Sequence, residues 1–277
     1  MKRPRFWIDG EIVEDAALPA DDRALLYGDG LFETILVAGG RAIWLSEHLA
    51  RFRRSARELG FPGPDALAQA GARAARDLVK ETSAARAALR ITWTRGPGAG
   101  GFAPPGKPQP HVFARLSPLP TKAAADVRAI FYPDLHAGSM AVHKTCSSMT
   151  YVEAIRRART AGADEALVSD GQGGIAEATA ANVFAIVDGV LRTPPVRLPL
   201  LPGITRAWVL RQAATLRMRV RDQALPIVDL ERAEEAFLTG SVAGVVPLTS
   251  VDGHAIANGR PGIVTRRFAA AFAEETS

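Results

Sequence analysis

The chain contains a single cysteine, Cys146, so a disulfide bond within one molecule is excluded. Its five histidines are scattered, and with one cysteine they do not supply the ligands of a Cys-rich zinc site. Metal-dependent chemistry is therefore not expected.

Long apolar runs are also absent, because no stretch approaches the roughly 18 uninterrupted apolar residues of a membrane helix. The start of the chain lacks the apolar segment of a signal peptide, which makes a cytoplasmic location the expectation. The charge excess is small: 34 basic residues oppose 29 acidic ones, giving a net charge of +5. The sequence therefore predicts neither a membrane nor a nucleic-acid partner, and a non-catalytic basic binding protein stays only as an alternative class.

Hydrophobic residues make up 47% of the 277 residues, enough to bury one large core or two smaller ones. Strand patterns and helix-period segments mix in both halves, which predicts an α+β fold. We expect a small N-terminal domain over residues 1–118, an interdomain linker over 119–125 and a larger C-terminal domain over 126–277.

Turn and cap signals place the main elements. The Asp9-Gly10 turn separates two short strands, and a helix begins near Ser46, whose side chain we expect to cap it. Further helices are predicted at about 64–80, 149–161, 204–216 and 263–275. Five glycines and five prolines between Gly96 and Pro110 predict a loop long enough to be functional.

Lys144 lies in a half of the chain that otherwise has the pattern of buried sheet. A lysine amine drawn into apolar surroundings becomes nucleophilic, which is the property that imine formation needs. When Lys144 is considered alone, a solvated surface lysine is the simpler interpretation. Whether it forms an imine therefore depends on which other residues accompany it.

A Schiff base with pyridoxal 5′-phosphate needs a carboxylate at the ring nitrogen, a cation for the phosphate and N–H donors at a helix start. Glu177, among small and apolar residues, could supply the carboxylate, and Arg51, three residues after His48 on a predicted helix, could supply the cation. The N–H groups of Ile204 and Thr205 begin another helix. Each feature alone also fits a solvated side chain or a helix start with nothing bound.

As an ordered set, these residues resemble the fold-type IV (class IV) pyridoxal-phosphate aminotransferase family. That family includes branched-chain and D-amino-acid aminotransferases, R-selective amine transaminases and 4-amino-4-deoxychorismate lyase. The similarity runs through nearly the whole chain. Its motifs are Asp22-Arg23, Tyr27 to Thr34, His48 with Arg51, Thr94-Arg95-Gly96, Lys144-Thr145, Asp164 to Leu167, Glu177, Asn182 to Phe184, Leu201 to Arg206, Leu238 to Ser241 and Val246-Pro247.

The resemblance implies a small α+β N-terminal domain and a larger C-terminal domain of barrel-like sheet, with the cofactor between them. It implies that Lys144 forms the Schiff base and then moves the substrate proton, and that Glu177 holds the pyridinium nitrogen. The phosphate ligands that it implies are Arg51, the N–H groups of Ile204 and Thr205, and Ser241. Members of the family are usually homodimers, in which a partner loop often completes the substrate pocket.

The Gly-rich loop bears on the reaction. Lyases of the family tend to carry arginine where this chain has Gly100 and tyrosine where it has Phe102. D-amino-acid enzymes place arginine and histidine in this loop, where this chain has neither. Lys144-Thr145 and Glu33 are closer to aminotransferase relatives. We therefore expect transfer of an amino group between an amino acid or amine and a 2-oxoacid, with 4-amino-4-deoxychorismate lyase, releasing pyruvate and 4-aminobenzoate, as the alternative.

Six residues are candidate substrate contacts: Tyr27, Phe32, Arg95, Phe102, Met149 and Ala243. Arg95 is the polar one, and we expect it to meet a substrate carboxylate. Phe32 and Met149 are packing residues by default, and Cys146 is expected to be a small buried residue without a nucleophilic role.

Overall fold

Each of two compact units contains its own β-sheet in the computed structural model, which describes residues 5–82, 84–98, 100–119, 126–136 and 138–277. Of these, the first unit contains residues up to 119 together with 143–148 and 276–277, and the second contains the rest. Apart from Leu119, the predicted linker lies outside the described residues. Among the helices that the structure describes, none has the length and apolar composition to cross a bilayer.

The first unit is a six-stranded antiparallel sheet with three helices. Its strands are β1 (Arg5–Ile8), β2 (Glu11–Val13), β3 (Gly30–Ala38), β4 (Arg41–Ala42), β5 (Arg86–Thr94) and β6 (Val112–Pro118). Its helices are α1 (Arg23–Tyr27), α2 (Leu45–Glu58) and α3 (Pro64–Lys80). The strand order is β2-β1-β6-β5-β3-β4.

Helices α2 and α3 supply the core on one face of this sheet. Because side chains alternate along a strand, Leu89, Ile91 and Trp93 of β5 share the buried face. The Trp93 ring stacks on Phe52 of α2 with centroids 3.9 Å apart. Gly71 of α3 allows the helix to approach, because a Cβ there would lie 2.5 Å from the Trp93 ring.

Two local predictions for the first unit need correction. Ser46 does not cap α2: the helix begins at Leu45 after Trp44, whose φ of 50° is left-handed, and the Ser46 hydroxyl instead donates to Glu47 (2.6 Å). The sequence pattern predicts no helix at α1, although Asp22 caps this short helix by accepting from the Ala24 amide. A helix of five residues is too short to show the apolar periodicity on which the prediction rests.

The second unit is a mixed sheet with four α-helices and a 3-10 helix (Ser139–Val142). Its strands are β7 (Val127–His136), β8 (Glu165–Ser169), β9 (Gly174–Ala178), β10 (Asn182–Val187), β11 (Val190–Thr193), β12 (Val220–Asp222), β13 (Leu225–Pro226), β14 (Glu235–Gly240), β15 (Gly244–Val251) and β16 (His254–Ala255). Its helices are α4 (Met149–Thr160), α5 (Ile204–Thr215), α6 (Ile227–Glu231) and α7 (Ile263–Glu275).

The main path of this sheet runs β12-β11-β10-β14-β15-β7-β8-β9-β13, and β16 pairs with β15. Strand β7 is parallel to both of its neighbours, and β12 is parallel to β11. Strands β9 and β10 are buried along their whole length, which explains why their residues are apolar apart from Glu177 and Asn182.

The predicted α+β class is confirmed, and the structure has helices in all five regions where the sequence predicted one. One segment differs from the sequence-based division. Residues His143–Ser148, which carry Lys144, belong to the first unit, although the prediction assigned Lys144 to the C-terminal domain. This segment belongs to the first unit because its backbone forms hydrogen bonds with β3. No local sequence pattern in the segment predicts those hydrogen bonds.

Candidate active site

The Lys144 segment is fixed beside the beginning of β3. The Phe32 amide donates to the Lys144 carbonyl and the Cys146 amide donates to the Gly30 carbonyl, both at 2.9 Å. Gly28 makes this approach possible, since a Cβ there would lie 2.3 Å from the Ser147 hydroxyl. Lys144 itself is half-buried, and its Nζ lies 4.5 Å from the centroid of the Phe32 ring. The backbone of β3 thus determines where this amine lies in the first unit.

A buried ionic cluster lies at the next residue of β3. Glu33 accepts from Arg51 through Nε (2.8 Å) and Nη2 (2.6 Å), and its Oε2 lies 2.6 Å from Nδ1 of His48. Burial alone would raise the pKa of Glu33, but the charge of Arg51 and the hydrogen bonds from Arg51 and His48 outweigh it and lower the pKa to about 2. Burial lowers the pKa of His48, so the neutral ring donates from Nδ1. Glu33 therefore fixes the direction of the Arg51 guanidinium, the predicted phosphate ligand.

Helix α1 holds the tip of the Gly-rich loop. Arg23 donates to the carbonyls of Gly101 (3.0 Å), Phe102 (2.9 Å) and Ala103 (3.2 Å). The Gly101 amide donates to the Tyr27 hydroxyl (2.9 Å), and the Tyr27 and Phe102 rings meet edge to face at 5.6 Å. The Phe102 side chain is 88% exposed. The structure thus brings together two predicted substrate contacts, Tyr27 of α1 and Phe102 of the Gly-rich loop.

The guanidinium of Arg95 forms hydrogen bonds with other residues of the first unit. Its Nε donates to both oxygens of Asp29 (2.9 and 2.8 Å), and its terminal nitrogens donate to the carbonyls of Leu59 (3.0 Å) and Gly60 (2.9 Å). Its guanidinium also stacks on Phe61 at 4.2 Å. These contacts tie the beginning of the loop to the end of α2, and they do not support the predicted role of Arg95 at a substrate carboxylate.

In the second unit, Glu177 on β9 accepts hydrogen bonds from Tyr151 and from Leu201. The Tyr151 hydroxyl donates to its Oε1 (2.7 Å) and the Leu201 amide to its Oε2 (3.0 Å). Burial, together with the negative charge of Glu177, raises the pKa of Tyr151, so the phenol remains a donor. The Asn182 side chain donates to the Leu201 carbonyl (2.9 Å). Both the N–H and the carbonyl of Leu201 are therefore hydrogen-bonded to side chains. Sequence reasoning missed Tyr151, which lies two residues after Met149.

The beginning of α5 has the features of an anion site. Gly203 precedes the helix, and a Cβ there would lie 1.9 Å from the Asn182 side-chain oxygen, so glycine is required. The first N–H groups of a helix have no partner within it. Thr205 is buried, and its hydroxyl has no hydrogen-bond partner among the described residues. The same holds for the Thr239 hydroxyl, on the strand position paired with Asn182.

The predicted cofactor residues of the second unit fit this picture. Ile204 and Thr205 form the first turn of α5, and the half-buried Ser241 lies in the turn between β14 and β15, close in sequence to Thr239. Ala243, in the same turn, and Met149, at the beginning of α4, are exposed. Open N–H groups and orphaned hydroxyls are what a phosphate group satisfies, so the residues present fit pyridoxal phosphate.

Comparison with known proteins gives a consistent result. The family model for amino-transferase class IV matches residues 30–251. The branched-chain-amino-acid aminotransferase of Salmonella typhimurium is 31% identical over 98% of this chain and 92% of its own. The D-alanine aminotransferase of Staphylococcus epidermidis is 30% identical over 97% and 96%. Among solved structures, the PLP-bound (pyridoxal-phosphate-bound) form of a hypothetical aminotransferase from Mycobacterium tuberculosis has a TM-score of 0.84 at 26% identity, covering 98% of this chain and 98% of that one.

The buried cluster generates a pH-dependent prediction. Glu33→Gln leaves Arg51 without its carboxylate and should lower the free energy of unfolding by about 3 kcal/mol near neutral pH. Because folding lowers the pKa of Glu33 from 4.5 to about 2, its contribution is complete above the higher value and is lost as the pH falls toward the lower one. The difference between parent and variant should shrink over that window in urea titrations.

The matched control is Asp65→Asn, which removes an exposed carboxylate bound to Arg57 at 3.0 Å. Its effect on the free energy of unfolding should stay below about 1 kcal/mol. A Glu33→Gln effect of the same small size, or one that does not change with pH, would contradict the role of the cluster.

Proposed function

Since this chain belongs to the class IV aminotransferase family, we propose that Lys144 is the residue on which its transamination depends. Enzymes of this family work with pyridoxal 5′-phosphate, which when bound withdraws electrons from the substrate Cα. The supporting observation is that β3 fixes the Lys144 backbone and leaves its amine over the Phe32 ring. From there the amine would take the proton from the substrate Cα and deliver it to the C4′ carbon of the cofactor.

Glu177 is the partner of the cofactor ring nitrogen in this proposal. Its carboxylate already accepts from Tyr151 and Leu201, which fixes its orientation and stabilises its negative charge. A fixed anion favours a proton on a nearby nitrogen, because charge-assisted hydrogen bonds are the stronger ones. Glu177 therefore holds that proton in place through the reaction.

The phosphate ligands follow from charge and unsatisfied donors. We assign Arg51, the N–H groups of Ile204 and Thr205, and Ser241, as the sequence predicted. The orphaned hydroxyls of Thr205 and Thr239 extend the set by two donors. Glu33 adds a supporting role, because its bidentate contact orients Arg51 without touching the cofactor.

Arg51 can be tested by a substitution that keeps its charge. Arg51→Lys retains a partner for Glu33 but loses the planar fork that binds phosphate at two points, so the Kd for pyridoxal phosphate should rise at least about tenfold. Fluorescence titration measures it. Arg54→Lys, on the exposed side of α2, is the matched control and should bind like the parent. Equal affinity in all three proteins would remove Arg51 from the phosphate site.

We infer that the amino donor is a branched-chain amino acid. The branched-chain relative supports this, and so does a Gly-rich loop without the arginine and histidine that D-amino-acid enzymes of the family place there. Phe32, Phe102 and Met149 supply apolar surface for such a side chain, and Tyr27 and Ala243 complete the proposed contacts. A 2-oxoacid accepts the amino group.

The function is tested by half-reactions on the holoenzyme. L-Leucine, L-valine or L-isoleucine should abolish the visible absorption band of the bound cofactor, and a 2-oxoacid should restore it. D-Alanine should leave the band unchanged, and Lys144→Ala should not respond to any donor. A response to D-alanine alone would contradict the donor assignment. Pyruvate released from 4-amino-4-deoxychorismate without any oxoacid would favour the lyase.

We propose that the enzyme is a homodimer joined in part through α1 and the Gly-rich loop. On this surface, Leu25 and Leu26 of α1 are 66% and 49% exposed, and Phe102 of the Gly-rich loop is 88% exposed. Burial of such apolar side chains between two chains favours association. Leu25→Ser with Phe102→Ser should shift the mass in light scattering from two chains toward one. Val228→Ser, an exposed apolar position of the second unit, is the control. A parent protein of single-chain mass would refute the proposal.

A further inference from the structure

Arg23 carries a buried positive charge to which the proposed function assigns no role. It begins α1, and only 2% of the residue is exposed. Its Nε donates to the Asp29 carboxylate at 2.8 Å, so the charge is compensated within the first unit. The terminal nitrogens of a guanidinium carry four further N–H groups, which also need acceptors when they are buried. The groups that accept from these nitrogens therefore indicate what Arg23 does.

The terminal nitrogens of Arg23 contact three successive carbonyls at the tip of the Gly-rich loop, residues 101–103. Nη1 donates to Gly101 (3.0 Å) and Ala103 (3.2 Å), and Nη2 donates to Phe102 (2.9 Å). Carbonyl oxygens directed at one point repel one another unless a cation lies among them. The planar fork of arginine offers several N–H groups at fixed angles, which a lysine ammonium does not. Arg23 therefore determines the path of the backbone at the loop tip.

Asp29 connects this contact to the rest of the first unit. The same carboxylate accepts from Nε of Arg95 (2.9 and 2.8 Å), whose terminal nitrogens donate to the carbonyls of Leu59 and Gly60 at the end of α2. Charge-assisted hydrogen bonds of this kind are stronger than neutral ones. Through Asp29, Arg23 thus ties the loop tip to a helix that packs on the core of the sheet.

The side chain of Phe102 does not fix its own position. It is 88% exposed, and its ring meets Tyr27 edge to face with centroids 5.6 Å apart. The Tyr27 hydroxyl accepts from the Gly101 amide (2.9 Å), and the Arg23 guanidinium lies 4.9 Å from the centroid of the Tyr27 ring. An exposed side chain makes few packing contacts. The direction in which Phe102 projects therefore follows from the backbone that Arg23 and Tyr27 hold.

We propose that Arg23 is a positioning residue that determines the donor selectivity of the enzyme. It acts through the carbonyls of residues 101–103 on Phe102, which the proposed function assigns to the apolar side chain of the donor, and so the inference rests on that function. A contact to the far end of the donor side chain favours long donors over short ones. Loss of the Arg23 contacts should therefore weaken the preference for a long donor.

The test compares Arg23→Lys with the parent holoenzyme. Lysine keeps a positive charge beside Asp29, but a single ammonium does not bridge all three carbonyls. With L-leucine, KM should rise at least about fivefold while kcat changes less than about twofold; with L-2-aminobutyrate, a shorter donor, KM should stay within about twofold. A general loss of folded protein or of cofactor would affect both donors equally, so the ratio of their kcat/KM values is decisive.

Hydrogen exchange measures the loop without any reaction. The exchange of the Gly101 amide, resolved by fragmentation in mass spectrometry, should be at least about tenfold faster in Arg23→Lys, because the loop tip opens more often. Arg219→Lys is the matched control. It removes an exposed guanidinium that donates to the Asp188 carbonyl (3.2 Å) in the second unit, and it should match the parent in exchange and in donor preference.

A second variant tests whether Arg23 acts through Phe102. Phe102→Ala, at an exposed position, should lower the preference for L-leucine by a similar factor, and adding Arg23→Lys should change it little further, because both act on one contact. If Phe102→Ala keeps the preference of the parent, the proposal fails even where Arg23→Lys does not fold.

Failure of this inference differs from failure of the proposed function. If the parent transaminates neither donor, the proposed function itself is refuted. If the parent transaminates both and Arg23→Lys keeps its preference, or if the exchange of the Gly101 amide is unchanged, only the role of Arg23 is overturned.

Discussion

The carboxylate of Glu33 is the constraint on which the first unit depends. It is buried on the helix-covered face of β3, where Arg51 and His48 reach it from α2. An arginine in such a place is tolerated only with a hydrogen-bonded counter-charge. Its neighbour Phe32 points to the other face, because strand side chains alternate, and there it meets Lys144. One strand thus positions both the buried ionic cluster and the proposed catalytic amine, whose positive charge also acts on His48.

In the second unit, the backbone of Leu201 has a comparable organising role. Glu177 accepts from its N–H and Asn182 donates to its carbonyl, so two strands, β9 and β10, fix the chain just before α5. The same Asn182 leaves room only for glycine at 203. The carboxylate assigned to the cofactor ring and the helix end assigned to its phosphate are therefore held by a single residue's backbone, whose position the sheet determines.

Three arginines of the first unit, Arg90, Arg95 and Arg115, show that the residue type and its local sequence do not predict which groups a side chain contacts. Arg95 lies in a family motif and was expected at a substrate carboxylate, but Asp29 and the carbonyls that end α2 occupy it. Arg90 and Arg115 were not candidates from the sequence, and the register of β5 with β6 makes them direct cross-strand partners, while the Arg90 guanidinium lies over the Phe32 ring. All three are arginines on or beside a strand of the same sheet. What differs is the set of neighbours brought in from distant parts of the chain.

The sequence by itself determined the α+β class, the helices at five positions and the family, since periodicity, turns and ordered motifs are local properties. It also supplied Lys144, Glu177 and Arg51 as candidates. Only the tertiary structure decided that Lys144 packs with the first unit, that Glu33 orients Arg51 and that Tyr151 donates to Glu177. These depend on strand register and on contacts between residues far apart in the chain, and the free energy of such contacts arises only when the sheet brings both partners together.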